Sequence, residues 1–114
     1  MMSKVFSVTN KKGGTAKTTS ALNLAAALHA AGKRILIIDN DHHGNLTAAN
    51  GFTSAKQKCT LANLLLTAID CPEDINLHLH RAILRIKDGL DLVPANRRLA
   101  DAAARLQVMQ LSQY

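Results

Sequence analysis

The chain has 114 residues, of which 47% are hydrophobic and 19% charged, so it can hold at most one domain with a modest core. Its formal net charge is +6, and only 3% of its residues are aromatic. Its most apolar stretch is broken by polar and basic residues, which argues against a membrane span. With no signal peptide at the start, we predict a cytoplasmic protein in which Cys59 and Cys71 are reduced thiols.

The first half of the chain predicts a strand, a helix and a second strand. Lys4–Thr9 is a β-branched strand, Asn10–Ala16 a loop with two glycines, and Lys17–Ala31 a helix rich in Ala and Leu that ends at a glycine. Beyond its first residue this helix has no Lys, Arg, Asp or Glu, so we expect much of its circumference to be covered. Arg34–Ile38 is a continuous apolar run, typical of a parallel strand buried on both faces.

Weaker signals along the second half predict four helical segments and two strands. In chain order they include a helical turn at Leu46–Ala49, a helix at Leu61–Ile69 capped by Thr60, a short strand near Ile83–Ile86, a strand at Leu90–Val93 and a helix at Arg97–Leu111 capped by Asn96. Cys71–Arg81 fits both an alternating strand and a helical stripe, and we favour the helix.

A loop rich in glycine, lysine and threonine lies between the first predicted strand and helix. It reads Lys12-Gly13-Gly14-Thr15-Ala16-Lys17-Thr18-Thr19. Glycines let backbone N–H groups approach phosphate oxygens, and the following helix directs its positive end at the same anion. Lys17 can neutralise the β- and γ-phosphates, and the Thr18 hydroxyl can coordinate Mg²⁺. The loop therefore predicts binding of ATP, although Lys11 and Ala16 stand where an ordinary Walker A loop has glycine.

Two carboxylates follow the second predicted strand. Asp39 and Asp41 stand at its carboxyl end, where open parallel sheets bind nucleotides, although a solvated turn is the alternative. His42 and His43 beside them suggest a metal site. Adjacent side chains on an extended segment point to opposite faces, which argues against a shared ion.

Lys11–Thr18 matches the pattern xKGGxxK[ST] of the deviant Walker A ATPases, and the chain resembles the ParA/Soj partition family among them. The further segments that carry the resemblance are Ile38–Thr47, Thr60–Leu65 and Gly89–Asn96. The resemblance implies that Lys12 reaches the partner's phosphates in a nucleotide-sandwich dimer. It also implies that Asp41 positions or activates the attacking water and that Asp39 lies near the Mg²⁺ shell. His42-His43 departs from the family's Pro-Gln, which bears on the rigidity of this turn.

The resemblance implies a P-loop NTPase-like α/β fold with a doubly wound, mostly parallel sheet. Residues 1–114 would form its N-terminal portion, incomplete at the C-terminus because the Walker B strand would follow Leu111. The implied activity is ATP hydrolysis to ADP and phosphate, with Lys12 and Lys17 stabilising the transferred charge and the amides of Gly13–Thr19 cradling phosphates.

The implied biological role is plasmid or chromosome partition through ATP-dependent homodimerisation. The implied partners are a centromere-binding protein and, through regions beyond this chain, non-specific DNA. Three alternatives remain open: a nucleotide-binding interaction module without catalysis, a remnant without nucleotide affinity, and direct DNA contact by the basic first half of the chain.

Overall fold

The computed structural model describes the backbone of residues 14–112 and the side chains of residues 18–109. Over this range the elements are α1 (Gly14–Ala30), β1 (Ile35–Ile38), α2 (Asn45–Ala49), α3 (Leu61–Asp70), α4 (Ile75–Ala82), β2 (Leu84–Lys87), β3 (Leu90–Val93) and α5 (Arg98–Ser112). Short 3₁₀ turns at Ser54–Lys56 and Pro72–Asp74 precede α3 and α4. The predicted α/β fold is confirmed, whereas the predicted strand Lys4–Thr9 lies outside the described residues.

The first helix begins three residues earlier than predicted, at Gly14 instead of Lys17. The reason is that Ala16 and Lys17 favour helix, so the helical conformation extends back through the second half of the predicted loop. Its C-terminus follows the prediction: Gly32 has φ +86°. The Gly32 N–H donates to His29 O at 3.0 Å and the Lys33 N–H to Leu28 O at 3.1 Å, which is the Schellman arrangement that ends a helix.

The described sheet has three strands in the order β1-β3-β2. β1 and β3 run parallel, with Ile35 opposite Leu90 and Ile38 opposite Val93. β2 and β3 form an antiparallel hairpin around Gly89, whose φ of +82° suits a tight turn. The described sheet is therefore mixed, because the turn joining β2 to β3 is too short for a parallel crossover.

Helices cover both faces of this sheet. On one face the buried cluster consists of Ala25, Ile37, Leu46, Leu90 and Leu92, and it joins α1 and α2 to the sheet. On the other face Val93 packs with Leu64 of α3 and Ala82 of α4. α3 also packs on α5, where Arg105 donates two hydrogen bonds to Asp70 and thereby lowers the pKa of that carboxyl. The two-sided covering agrees with the doubly wound arrangement that was predicted.

Two burial predictions were wrong. We predicted that much of α1 would be covered, but among its side chains described from position 18 onward only Ala25 is buried. Alanine favours helix through its intrinsic propensity, so an alanine-rich helix does not require a covering layer. In β1 Leu36 is 47% and Ile38 53% exposed. The described part of α3 and α4 covers Val93 on that face, but it does not extend over β1.

Both predicted helix caps are present. The Asn96 side-chain oxygen accepts a hydrogen bond from the Arg98 N–H at 3.1 Å, at the start of α5. At the start of α3 Thr60 and Asn63 form a capping box, in which the Thr60 N–H donates to Asn63 Oδ1 at 2.9 Å. Cys59 and Cys71 are free thiols, as predicted, and burial raises the pKa of Cys59.

Candidate functional site

The start of α1 carries the second half of the predicted phosphate loop. Gly14–Thr19 form the first turns of this helix, and the first turn has no acidic residue. An α-helix leaves the N–H groups of its first turn without an acceptor within the helix, and its dipole makes this end positive. Lys12 and Gly13, together with the side chains of residues 14–17, lie outside the described residues, so their roles stay predictions.

The carboxyl end of β1 holds Asp39, which is 2% exposed. Its Oδ2 accepts hydrogen bonds from the Thr47 N–H at 2.9 Å and from the Thr47 hydroxyl at 2.7 Å. Its Oδ1 accepts one from the Asp41 N–H at 3.2 Å. A buried carboxylate needs such donors, because an unpaired buried charge is very costly. Asp39 is thus held in one orientation beside α2.

Thr47 connects three parts of the site, and no role was predicted for it from the sequence. It is fully buried, and its hydroxyl oxygen also accepts a hydrogen bond from the Ala95 N–H at 3.1 Å. It therefore ties α2 to the ends of β1 and β3. The sequence does contain a signal for the role of Thr47. A carboxylate at the end of a buried strand requires a hydrogen-bond donor nearby, and Thr47 is such a donor.

Asp41 follows Asp39 by two positions in the chain, and its carboxylate accepts hydrogen bonds from residues of the same loop. Its Oδ1 accepts a hydrogen bond from the His43 N–H at 3.1 Å. The same oxygen lies 3.1 Å from the His43 Nδ1, which is also within hydrogen-bond distance. Its Oδ2 accepts one from the Asn45 side-chain amide at 3.3 Å. The Asp41 side chain is 23% exposed, so it is accessible from solvent, unlike the buried Asp39.

The loop that carries these residues is a tight turn closed by Gly44. The Gly44 N–H donates to Asp41 O at 2.8 Å, which places His42 and His43 at the two central positions of a β-turn. The His42 and His43 rings then lie side by side, with centroids 4.0 Å apart and planes tilted by 38°. The expectation that these side chains point to opposite faces was wrong, because it assumed an extended segment.

Gly44 occupies a position that other residues do not fit. Its φ is +67°, and an added Cβ would lie 3.1 Å from Ala95 O and would collide with the Ser54 hydroxyl. We expect Gly44→Ala to lower the free energy of unfolding by about 2–5 kcal/mol, combining the left-handed conformation with the collision. Denaturant unfolding followed by circular dichroism measures this loss.

Gly51→Ala is the matched control for that substitution. Gly51 has a similar φ of +87°, but nothing lies within 4 Å of an added Cβ. This variant should lose only the conformational part, about 1–2 kcal/mol. Equal losses in the two variants would contradict the close packing of the turn against Ser54 and Ala95.

Packing brings the two predicted halves of the site to neighbouring elements. Ala25 of α1, Ile37 of β1 and Leu46 of α2 belong to one buried cluster. The helix whose first turn carries Gly14–Thr19 therefore packs against the strand that ends in Asp39 and against the helix after the His turn. Open α/β sheets bind ligands in the crevice at the carboxyl end of their parallel strands, and Asp39 follows the carboxyl end of β1.

Comparison with known proteins supplies the context for this arrangement. A family model described as an AAA domain matches residues 3–114. The chain is 34% identical over 105 residues to the sporulation initiation inhibitor protein Soj of Bacillus subtilis, covering 92% of this chain. It is 33% identical over 103 residues to the chromosome partitioning protein ParA of Caulobacter vibrioides, covering 90% of this chain.

A solved structure shows the same fold. Cobyrinic acid a,c-diamide synthase from Mycobacterium smegmatis, crystallised with an ATP analogue and magnesium, superimposes with a TM-score of 0.70 at 35% identity over 87% of this chain. The chain spans 37% of that protein's length, 39% of Soj and 36% of ParA. Among the described residues, no helix combines the length and apolar character that crossing a membrane requires.

Proposed function

We propose that this chain, which belongs to the AAA-domain family of P-loop ATPases together with Soj and ParA, binds ATP with Mg²⁺ and hydrolyses it to ADP and phosphate. The observation that carries the proposal is the position of the KGGTAKTT pattern, which runs directly into the first turn of α1 at Gly14. Amides at a helix start, glycines and lysines together form an anion-binding environment.

In this proposal the loop residues bind the phosphates, and Lys12, Lys17 and Asp41 act on the reacting atoms. The amides of Gly13, Gly14, Thr15, Ala16, Lys17, Thr18 and Thr19 bind the phosphates. Lys12 and Lys17 stabilise the charge that develops on the transferred phosphoryl group. Asp41 accepts a hydrogen bond from the water that attacks the γ-phosphate in line. Its partial exposure, which leaves the carboxylate accessible to a water, supports this role.

The residues proposed to hold Mg²⁺ are Thr18 and Asp39. Both offer oxygen atoms, which this hard cation prefers. When bound, Mg²⁺ supplies charge neutralisation at the phosphate oxygens. Asp39 is already fixed by Thr47, so its orientation does not depend on the ion. A fixed carboxylate of this kind reduces the ordering cost of binding.

We extend the proposal to the biological role that the relatives' names suggest. Residues 1–114 form the N-terminal portion of a cytoplasmic partition ATPase that homodimerises around ATP, with Lys12 reaching the partner's phosphates. A centromere-binding protein is the proposed partner, and non-specific DNA is contacted through regions beyond this chain. The similarity to the chromosome partitioning protein ParA supports this assignment.

A nucleotide-binding module without turnover is the second candidate. The hydrogen bonds that His43 and Asn45 make with the Asp41 carboxylate favour it, because they engage the group that would contact the water. Such a module would bind ATP and change its contacts with another protein. The two candidates therefore share the first step, binding of Mg-ATP, and differ in the second.

Measuring the melting temperature of the chain with Mg-ATP and with Mg²⁺ alone tests the shared step. Ligand at a hundredfold excess over its dissociation constant stabilises a fold by about 2.7 kcal/mol, which corresponds to a rise of about 10 °C for a domain of this size. Release of phosphate from the same sample then supports the enzyme, and binding without release supports the module. An unchanged melting temperature would contradict both and favour a remnant without nucleotide affinity.

A further inference from the structure

The turn after β1 gathers three metal-binding side chains. Asp41, His42 and His43 each offer a ligand atom, and these atoms lie within 4.8 Å of one another. Ligand atoms that are each about 2.1 Å from a tetrahedral ion lie about 3.4 Å apart. Closing the cluster around an ion therefore requires the longest separation to shorten by up to about 1.4 Å, which exposed histidines can achieve by rotation about χ1 and χ2.

One pair of these atoms already has the separation that a shared ion requires. His43 Nδ1 lies 3.1 Å from Asp41 Oδ1, and the adjacent His42 ring has its centroid 4.0 Å from that of His43. The tight turn brings the two histidine rings together, because it places both side chains on the same side of the chain. Gly44 holds that turn closed with its N–H bond to Asp41 O.

We infer that Asp41, His42 and His43 form a binding site for a borderline divalent transition-metal ion of the Zn²⁺ type. Two imidazoles and one carboxylate match the ligands that Zn²⁺ takes in open sites, where a water completes the coordination. Mg²⁺ prefers oxygen donors and octahedral geometry, so it does not suit this set. The site is therefore distinct from the proposed Mg²⁺ ligands Thr18 and Asp39.

Neighbouring groups support the ligands in the way that metal sites require. The Asn45 amide donates to Asp41 Oδ2, and the His43 N–H donates to Asp41 Oδ1. The buried Asp39 carboxylate accepts the Asp41 N–H at 3.2 Å and so anchors the backbone of the turn. Such contacts orient ligands and raise metal affinity. His42 and His43 are exposed, which leaves an ion free to enter from solvent.

Occupation of the site has a consequence for the proposed ATPase. A carboxylate that coordinates Zn²⁺ is a weaker base, because the bound cation disfavours protonation of its ligand, so the ion reduces the ability of Asp41 to take a proton from the attacking water. This consequence rests on the proposed function, whereas binding of the ion does not. Zn²⁺ binding is therefore measured without nucleotide, and its result does not depend on whether the chain binds or hydrolyses ATP.

Isothermal titration of the 114-residue chain with zinc chloride tests the site. We expect one Zn²⁺ per chain, and at least about a tenfold loss of affinity in each of His42→Gln and His43→Gln. His80→Gln, at an exposed histidine in the last turn of α4, is the matched control and should keep wild-type affinity. Circular dichroism of each variant verifies that the fold is intact.

Within the part of the chain that the structure describes, the rival location is the exposed cluster of Cys71, Glu73 and Asp74, whose ligand atoms also lie close together. Binding there would be lost in Cys71→Ser and kept in both histidine variants, which would overturn the inference. A Co²⁺-loaded chain gives a second readout: visible ligand-field bands without a sulfur charge-transfer band support a site without thiolate. Absence of Zn²⁺ binding, or loss in only one of the two histidine variants, would also overturn the three-ligand site.

Discussion

Lys17→Ala should lower the affinity of the chain for Mg-ATP by about 10- to 150-fold. Residue 17 lies in the first turns of α1, where the amides and the helix dipole attract an anion. Hydrogen bonds to charged groups contribute about 1.5–3 kcal/mol, and this range converts to the stated loss. Isothermal titration with Mg-ATP measures the affinity directly.

Lys33→Ala is the control for that experiment. Lys33 is an exposed lysine just after α1, so its removal changes the net charge equally without touching the predicted loop. We expect this variant to bind Mg-ATP as the wild type does. Wild-type affinity in Lys17→Ala would remove the phosphate-loop assignment, and an equal loss in both variants would indicate attraction by overall charge instead of a specific contact.

Local signals were sufficient to predict most of the fold. The strand Leu90–Val93 was placed at its observed bounds, because a turn at Gly89 and Pro94 mark the two ends of this short segment. Gly32 and Asn96 were identified as helix-terminating and helix-capping residues because their chemistry acts over a few neighbouring positions. Elements that depend on local chemistry are therefore predictable from one sequence.

Features that depend on tertiary packing were predicted less well. The exposure of Leu36 and Ile38 depends on which helices pack against β1, and the apolar sequence of the strand does not determine this. Thr47 acts through contacts with Asp39, eight positions away, and with Ala95, forty-eight positions away. His42 and His43 lie on the same side of the chain because of a tight turn closed by Gly44, and the sequence analysis assigned no structural role to that glycine.

The site was predicted in the same uneven way. The phosphate loop at Lys12–Thr19 stays a prediction, and Asp39 and Asp41 were selected because they end a predicted strand. Their different surroundings could not be predicted, because burial of Asp39 follows from Thr47 and exposure of Asp41 follows from the turn. Two carboxylates two positions apart thus have different surroundings: Asp39 is buried against Thr47, whereas Asp41 is partly exposed to solvent.

That difference makes Asp41 the better residue for testing hydrolysis. Asp41→Ala should reduce the rate of phosphate release by about 10²- to 10⁴-fold, the usual contribution of a group that handles the proton of the attacking water. Affinity for Mg-ATP should change little, because the carboxylate is not proposed to contact phosphate. Phosphate release under single-turnover conditions, with Mg-ATP affinity measured on the same preparation, separates the two effects.

Two further variants distinguish lost chemistry from a disturbed turn. Asp41→Asn keeps the shape of the side chain and an oxygen for the His43 N–H, yet it cannot take a proton, so it should lose turnover as Asp41→Ala does. Asp88→Asn changes an exposed acid in the β2–β3 turn and should keep wild-type turnover. Unchanged phosphate release in Asp41→Ala would remove this residue from the mechanism. Full turnover in Asp41→Asn with loss in Asp41→Ala would show that residue 41 acts as a hydrogen-bond acceptor, for the water or for the turn, and does not take a proton.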